Sequence, residues 1–84
     1  MTKTLGEALP EAIAKVSEFI GQQEAQAREM DETLPGCGDG NRLIANLMRV
    51  KRDVAIAAQT SGDVVAMIRA YEELKPALEL ANAE

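Results

Sequence analysis

The chain has no histidine and no tryptophan, and it has one cysteine, one phenylalanine and one tyrosine. Each shortage removes something. Without histidine there is no imidazole general base, no imidazole metal ligand and no Cys–His dyad. A single cysteine cannot form an internal disulfide and, with no histidine beside it, supplies too few ligands for a zinc site within one chain. With two aromatic residues among 84, the interior has few bulky anchors, and Leu, Ile, Val and Met must fill it. No apolar run approaches the roughly 20 residues that a membrane-spanning helix needs. The N-terminal stretch lacks the apolar core of roughly 7–15 residues that marks a secretory signal. The expectation is an intracellular, cytoplasmic protein, not an enzyme, that uses no metal or other cofactor.

The residues that are present favour helix. Hydrophobic residues make up 46% of the chain, but 14 of them are alanine, which adds helix propensity more than core volume. Eighty-four residues fit one small domain whose core is modest, and self-association is a common source of added stability at this size. The net charge of −5 argues against general attraction to nucleic acid or to an anionic membrane.

One interruption divides the helical pattern. Residues 31–40 read Asp-Glu-Thr-Leu-Pro-Gly-Cys-Gly-Asp-Gly, and the one cysteine, Cys37, lies between two glycines. Before it, Leu9, Ala12, Ile13, Val16, Phe19, Ile20, Ala27 and Met30 recur at steps of three and four, predicting a helix over residues 10–30. Thr4 and Glu7 also have capping-box spacing, so an earlier start with a bend or break near Pro10 is a second possibility. Gln23 falls where a core residue belongs, and residues 22–29 are mostly polar. This half of the helix is expected to be solvated or to dock a partner.

The second helix is predicted over residues 41–59, capped by Asp39 or Asn41. Leu43, Leu47, Val50, Val54 and Ala57 or Ala58 form the main stripe. Ile44, Met48 and Ala55 lie beside it and widen the apolar face to about half the circumference at roughly 100° per residue. Ile56 falls on the opposite side, among Arg49 and Arg52. The third helix is predicted over residues 62–82, capped by Thr60 or Ser61. Val64, Met67, Ile68, Tyr71, Leu74, Leu78 and Ala81 share a face, and a kink or break is expected at Pro76. Three helices of similar length with short connections predict an all-α, antiparallel three-helix bundle in one domain, residues 1–84, with residues 31–40 as the Gly/Pro-rich connection.

The chemistry-bearing features are few. The Cys37 segment could hold a reactive thiol or bind an anion at the start of helix 2. However, no strand precedes it, no Lys-Ser or Lys-Thr pair follows it, and Asp39 puts negative charge where an anion would sit. Its expected role is a chain reversal, with a thiol-based redox or regulatory role for Cys37 as the alternative. Helix 2 is basic between acidic neighbours. Residues 41–60 carry four basic side chains and one acidic, while residues 1–40 carry three and eight. Arg42, Arg49 and Arg52 could meet a phosphate backbone, or they could pair with carboxylates of helices 1 and 3, which is the favoured reading. The reversal at residues 58–62 has helix-turn-helix spacing, but Ser61 and Asp63 stand at positions that motif keeps apolar. The following helix also carries Glu72 and Glu73. Nucleic acid is therefore not the expected partner.

The function expected is that of a small helical interaction protein, which self-associates or docks a protein partner through helices 2 and 3. Leu47, Val54 and Ile56 on helix 2, with Ile68 and Tyr71 on helix 3, are the expected apolar anchors. Arg49 and Arg52 would set orientation through salt-sensitive pairs.

Overall fold

A computed structural model describes residues 4–83 of the chain. Residues 1–3, the start of the N-terminal stretch read above, and residue 84 lie outside the described residues. Three helices follow one another: α1 (Leu5–Thr33), α2 (Asp39–Ser61) and α3 (Val64–Ala83). Connections of five and two residues turn each helix back along its predecessor, giving the expected antiparallel three-helix bundle.

The α1 helix adopts the early start. Thr4 is its extended N-cap, and the Thr4 carbonyl accepts from the N–H groups of Glu7 and Ala8. The Thr4 side chain makes no capping bond, so the capping box does not close. The helix passes through Pro10 without a break. The bond Pro10 cannot make would have gone to the carbonyl of Gly6, at an exposed end that water can reach. The α3 helix likewise continues through Pro76 to Ala83, so the break expected there does not occur. Pro76 and Glu72, whose carbonyl loses its partner, both face solvent.

The interruption is shorter than the sequence pattern suggests, because α1 runs on to Thr33 and α2 starts at Asp39. Gly36 takes a positive φ of 91°, which only glycine adopts freely. Gly38, not Asp39 or Asn41, is the N-cap of α2. Its N–H donates to Asp31 Oδ1 at 2.9 Å. A Cβ on Gly38 would stand 2.3 Å from the carbonyl oxygen of Ala27, so the α2 start lies flush on the α1 backbone. At the second reversal Gly62 closes α2 with a φ of 73°. The cap of α3 is Asp63, in place of Thr60 or Ser61: Asp63 Oδ1 accepts from the N–H groups of Val65 at 3.1 Å and Ala66 at 3.3 Å.

The core draws Leu9, Val16, Phe19 and Ile20 from α1, Met48 from α2 and Leu74 from α3; its remaining members are alanines. From α2 the buried residues are Ala45, Met48, Ala55 and Ala58. The main stripe of the sequence, Leu43, Leu47, Val50 and Val54, faces outward instead. The small residues let α2 approach its neighbours closely. Polar partners on the same side of α2 fix that choice: Asn41 to Gln23, Arg49 to Glu24 and Lys51 to Glu73.

The helices are unequal in length. At about 1.5 Å per residue α1 is about 43 Å long and α3 about 30 Å. Ala81, near the end of α3, shares a shallow cleft with Lys15, Phe19 and Gln22. Beyond Gln22, among the described residues, α1 therefore has only α2 alongside. The second half of α1 is not left to solvent or to an outside partner: Gln23 and Ala27 are buried there. Gln23 Oε1 accepts from Asn41 Nδ2 at 2.8 Å, which satisfies the buried amide oxygen.

Candidate functional site

The face of α2 turned away from the bundle carries its larger aliphatic residues. Leu43 is 62% exposed, Leu47 57%, Val50 64% and Val54 56%. Single exposed leucines are ordinary, but a continuous row on one helix is not. Fully burying a Val or Leu side chain is worth about 1.5–3 kcal/mol, so the row carries a driving force the fold leaves unused. Among the described residues, large apolar side chains are more numerous outside than inside. Twelve are exposed, including Met30, Ile44, Val64, Val65 and Leu80.

The spacing of the row differs from that of the buried face. Leu43, Leu47, Val50, Val54 and Ala57 follow one another at steps of four, three, four and three. That averages about 3.5 residues, the period of a coiled-coil seam. Taking roughly 100° per residue, the row and the buried Ala45–Met48–Ala55 face have their centres about 140° apart. The broad apolar face seen in the sequence is thus two faces, one inside and one outside. Exposed Asn46, Asp53 and Thr60 flank the row on one side. On the other, Lys51 Nζ is held by Glu73 Oε2 at 3.1 Å and Ala58 is buried, so that flank leans on α3.

The anchors expected from the sequence separate accordingly. Leu47 and Val54 belong to the row. Ile56 is exposed but, two positions from Val54, lies about 160° around the helix. Ile68 is exposed on α3, whereas Tyr71 is half-buried against the core, with Lys75 Nζ 5.8 Å from its ring centre. The two therefore do not act alike. Leu43 and Val50, which share the main stripe with Leu47 and Val54, complete the exposed row.

The arginines are engaged within the chain. Arg49 Nη2 meets Glu24 Oε1 at 2.5 Å and Arg52 Nη2 meets Asp53 Oδ1 at 3.2 Å. Arg42 pairs with Asp31 and also reaches Asp39 Oδ1 at 3.1 Å. The Arg42 hydrogen bond, aided by the N–H of Gly38, holds the Asp31 carboxyl below the usual carboxylate range. Arg49 joins α2 to α1, Arg42 joins α2 to the residues where α1 ends, and Arg52 pairs with its own neighbour. Cys37 is a free, exposed thiol on the connection, beside Met30, Thr33 and Leu34. Among the described residues no group of three or more Cys, Asp or Glu side chains is placed to hold a metal ion, and no helix is long and apolar enough to cross a membrane.

No protein-family model, no curated protein and no solved structure matches this chain.

Proposed function

We propose that this protein is a helical interaction module that docks a protein helix on the outward face of α2. The observation that carries the reading is the exposed row Leu43, Leu47, Val50 and Val54. A buried stripe would be ordinary core. An exposed one at about a 3.5-residue period has the form that one helix presents to another. The row itself is uncharged and polar side chains stand along its open edge, as at the centre and rim of protein interfaces. Ile68 is a separate, secondary contact on α3, Arg49 ties α2 to α1 more than it orients a partner, and Arg52 pairs with its own neighbour Asp53.

The test uses a photoreactive residue placed singly at Val54 in the producing cell, with exposed Gln59 on another side of the same helix as control. A discrete protein adduct at Val54, absent at Gln59 and lost when Leu47→Glu is added to a chain of unchanged helicity, supports the reading. Equal labelling at both positions, or adducts indifferent to Leu47→Glu, overturns it.

A further inference from the structure

We infer that the occupant of the α2 face is a second copy of this chain, its α2 lying antiparallel to the first about a two-fold axis near Met48 and Arg49. This rests on the reading of the row as a docking surface and names what docks there.

The row is complementary to itself in one register. A two-fold contact presents the same patch twice, so each residue must suit its mate. When Leu47 of one copy faces Val50 of the other, Leu43 faces Val54 and Gly40 faces Ala57. Every central layer then pairs one Leu with one Val, so the layers are of equal volume. The outer layers pair the two smallest residues, and a Cβ on Gly40 would meet nothing within 4 Å in the single chain. A parallel arrangement instead stacks Leu on Leu, Val on Val and Gly on Gly, with unequal layers and aligned helix dipoles.

The flanking charges select the same register. With Leu47 facing Val50, Asp53 comes beside Asn46 of the other copy and Lys51 beside Ile44, so no like charges meet. Sliding one copy by seven residues sets Asp53 against Asp53 and Lys51 against Lys51, and it leaves Leu43 facing Ser61. Such juxtapositions suppress the wrong pairing.

The single chain also has reason to accept a mate. Alanines make up half of its core residues, and small domains with little bulk inside commonly gain stability by association. Pairing through α2 buries the central helix on both of its apolar faces and leaves α1, with its polar ties, undisturbed.

Two measurements on the full chain test the inference. Sedimentation equilibrium at micromolar to millimolar concentration should give twice the 9.0 kDa chain mass. Leu47→Glu or Val50→Glu, each keeping its helical signal, should raise the dissociation constant about tenfold or more. In a Cys37→Ser background, Leu43→Cys and Val54→Cys chains should each fail to cross-link alone under mild oxidation and should form a disulfide dimer when mixed. A 9.0 kDa particle throughout, or a dimer indifferent to both glutamates, overturns the second copy as occupant. Self-linking of either single-cysteine chain overturns the antiparallel register. A monomer that still gives a Val54-specific adduct of another mass leaves the interaction module standing, so the two readings fail separately.

Discussion

Gly38 stands against the backbone of Ala27 so closely that a Cβ built on it would lie 2.8 Å from the Ala27 Cα as well as 2.3 Å from its carbonyl oxygen. Backbone cannot yield as a flexible side chain can. Gly38→Ala should therefore push the start of α2 off α1 and destabilise the fold by about 1–3 kcal/mol, read from urea denaturation. Gly21 lies in the middle of α1, where an added Cβ meets nothing within 4 Å. Gly21→Ala should stabilise by about 0.5–1 kcal/mol. A neutral Gly38→Ala would show that the helices can part there without cost.

Buried Gln23 and half-buried Asn41 form a polar tie between α1 and α2. Asn41→Ala leaves the Gln23 carbonyl oxygen without its closest donor and should cost about 1–3 kcal/mol. Adding Gln23→Leu should return part of that loss, so a double-mutant cycle should give a non-zero coupling. Strict additivity would show that the tie contributes nothing of its own.

Asp31 gains its depressed pKa on folding, from Arg42 first and then from the Gly38 N–H. A carboxyl of this kind adds stability above its unfolded pKa of about 3.9 and loses it as pH falls through the lower folded value. Stability should thus decline below about pH 4, and Asp31→Asn should flatten that acid limb while lowering stability at neutral pH. Chemical denaturation across the acid range reads both effects.

Leu74 and Leu47 separate inside from outside. Leu74 is fully buried, and Leu74→Ala should cost about 2–5 kcal/mol. Leu47→Ala should change the stability of the dissociated chain by less than about 0.5 kcal/mol. Comparable losses at the two positions, measured at high dilution, would place Leu47 in the core of the single chain.

Pro76 remains inside α3 with its hydrogen bond unmade. Pro76→Ala restores that bond at an exposed position of the helix and should stabilise by up to about 3 kcal/mol. Thermal unfolding at fixed concentration tests it.

The helices, their order and the stripe of α1 were legible in the sequence because three- and four-residue periodicity reports helical faces directly. Which face of α2 turns inward was not. Periodicity ranked Leu43, Leu47, Val50 and Val54 by hydrophobicity, whereas the packed state ranks faces by how closely helices can approach. That approach depends on Ala45, Ala55 and Gly38 and on polar mates many residues away, such as Gln23 for Asn41. The caps at Gly38 and Asp63 were missed for a related reason, since each depends on a backbone direction that neighbouring residue types do not determine. The pairing of Arg49 and Arg42 with acidic residues outside α2 was legible, because a basic helix between acidic ones has nearby partners.

The unequal lengths of α1 and α3 divide the molecule into two ends that answer to different solvents. Near the N-terminus of α1 three helices enclose apolar side chains. Past Gln22 two helices are joined by Glu24 with Arg49, Asp31 with Arg42 and Gln23 with Asn41. Added salt screens the charged ties and loosens the second end, while cooling weakens apolar burial and loosens the first. Ionic strength and temperature therefore act as separate controls on the two halves of a single short chain.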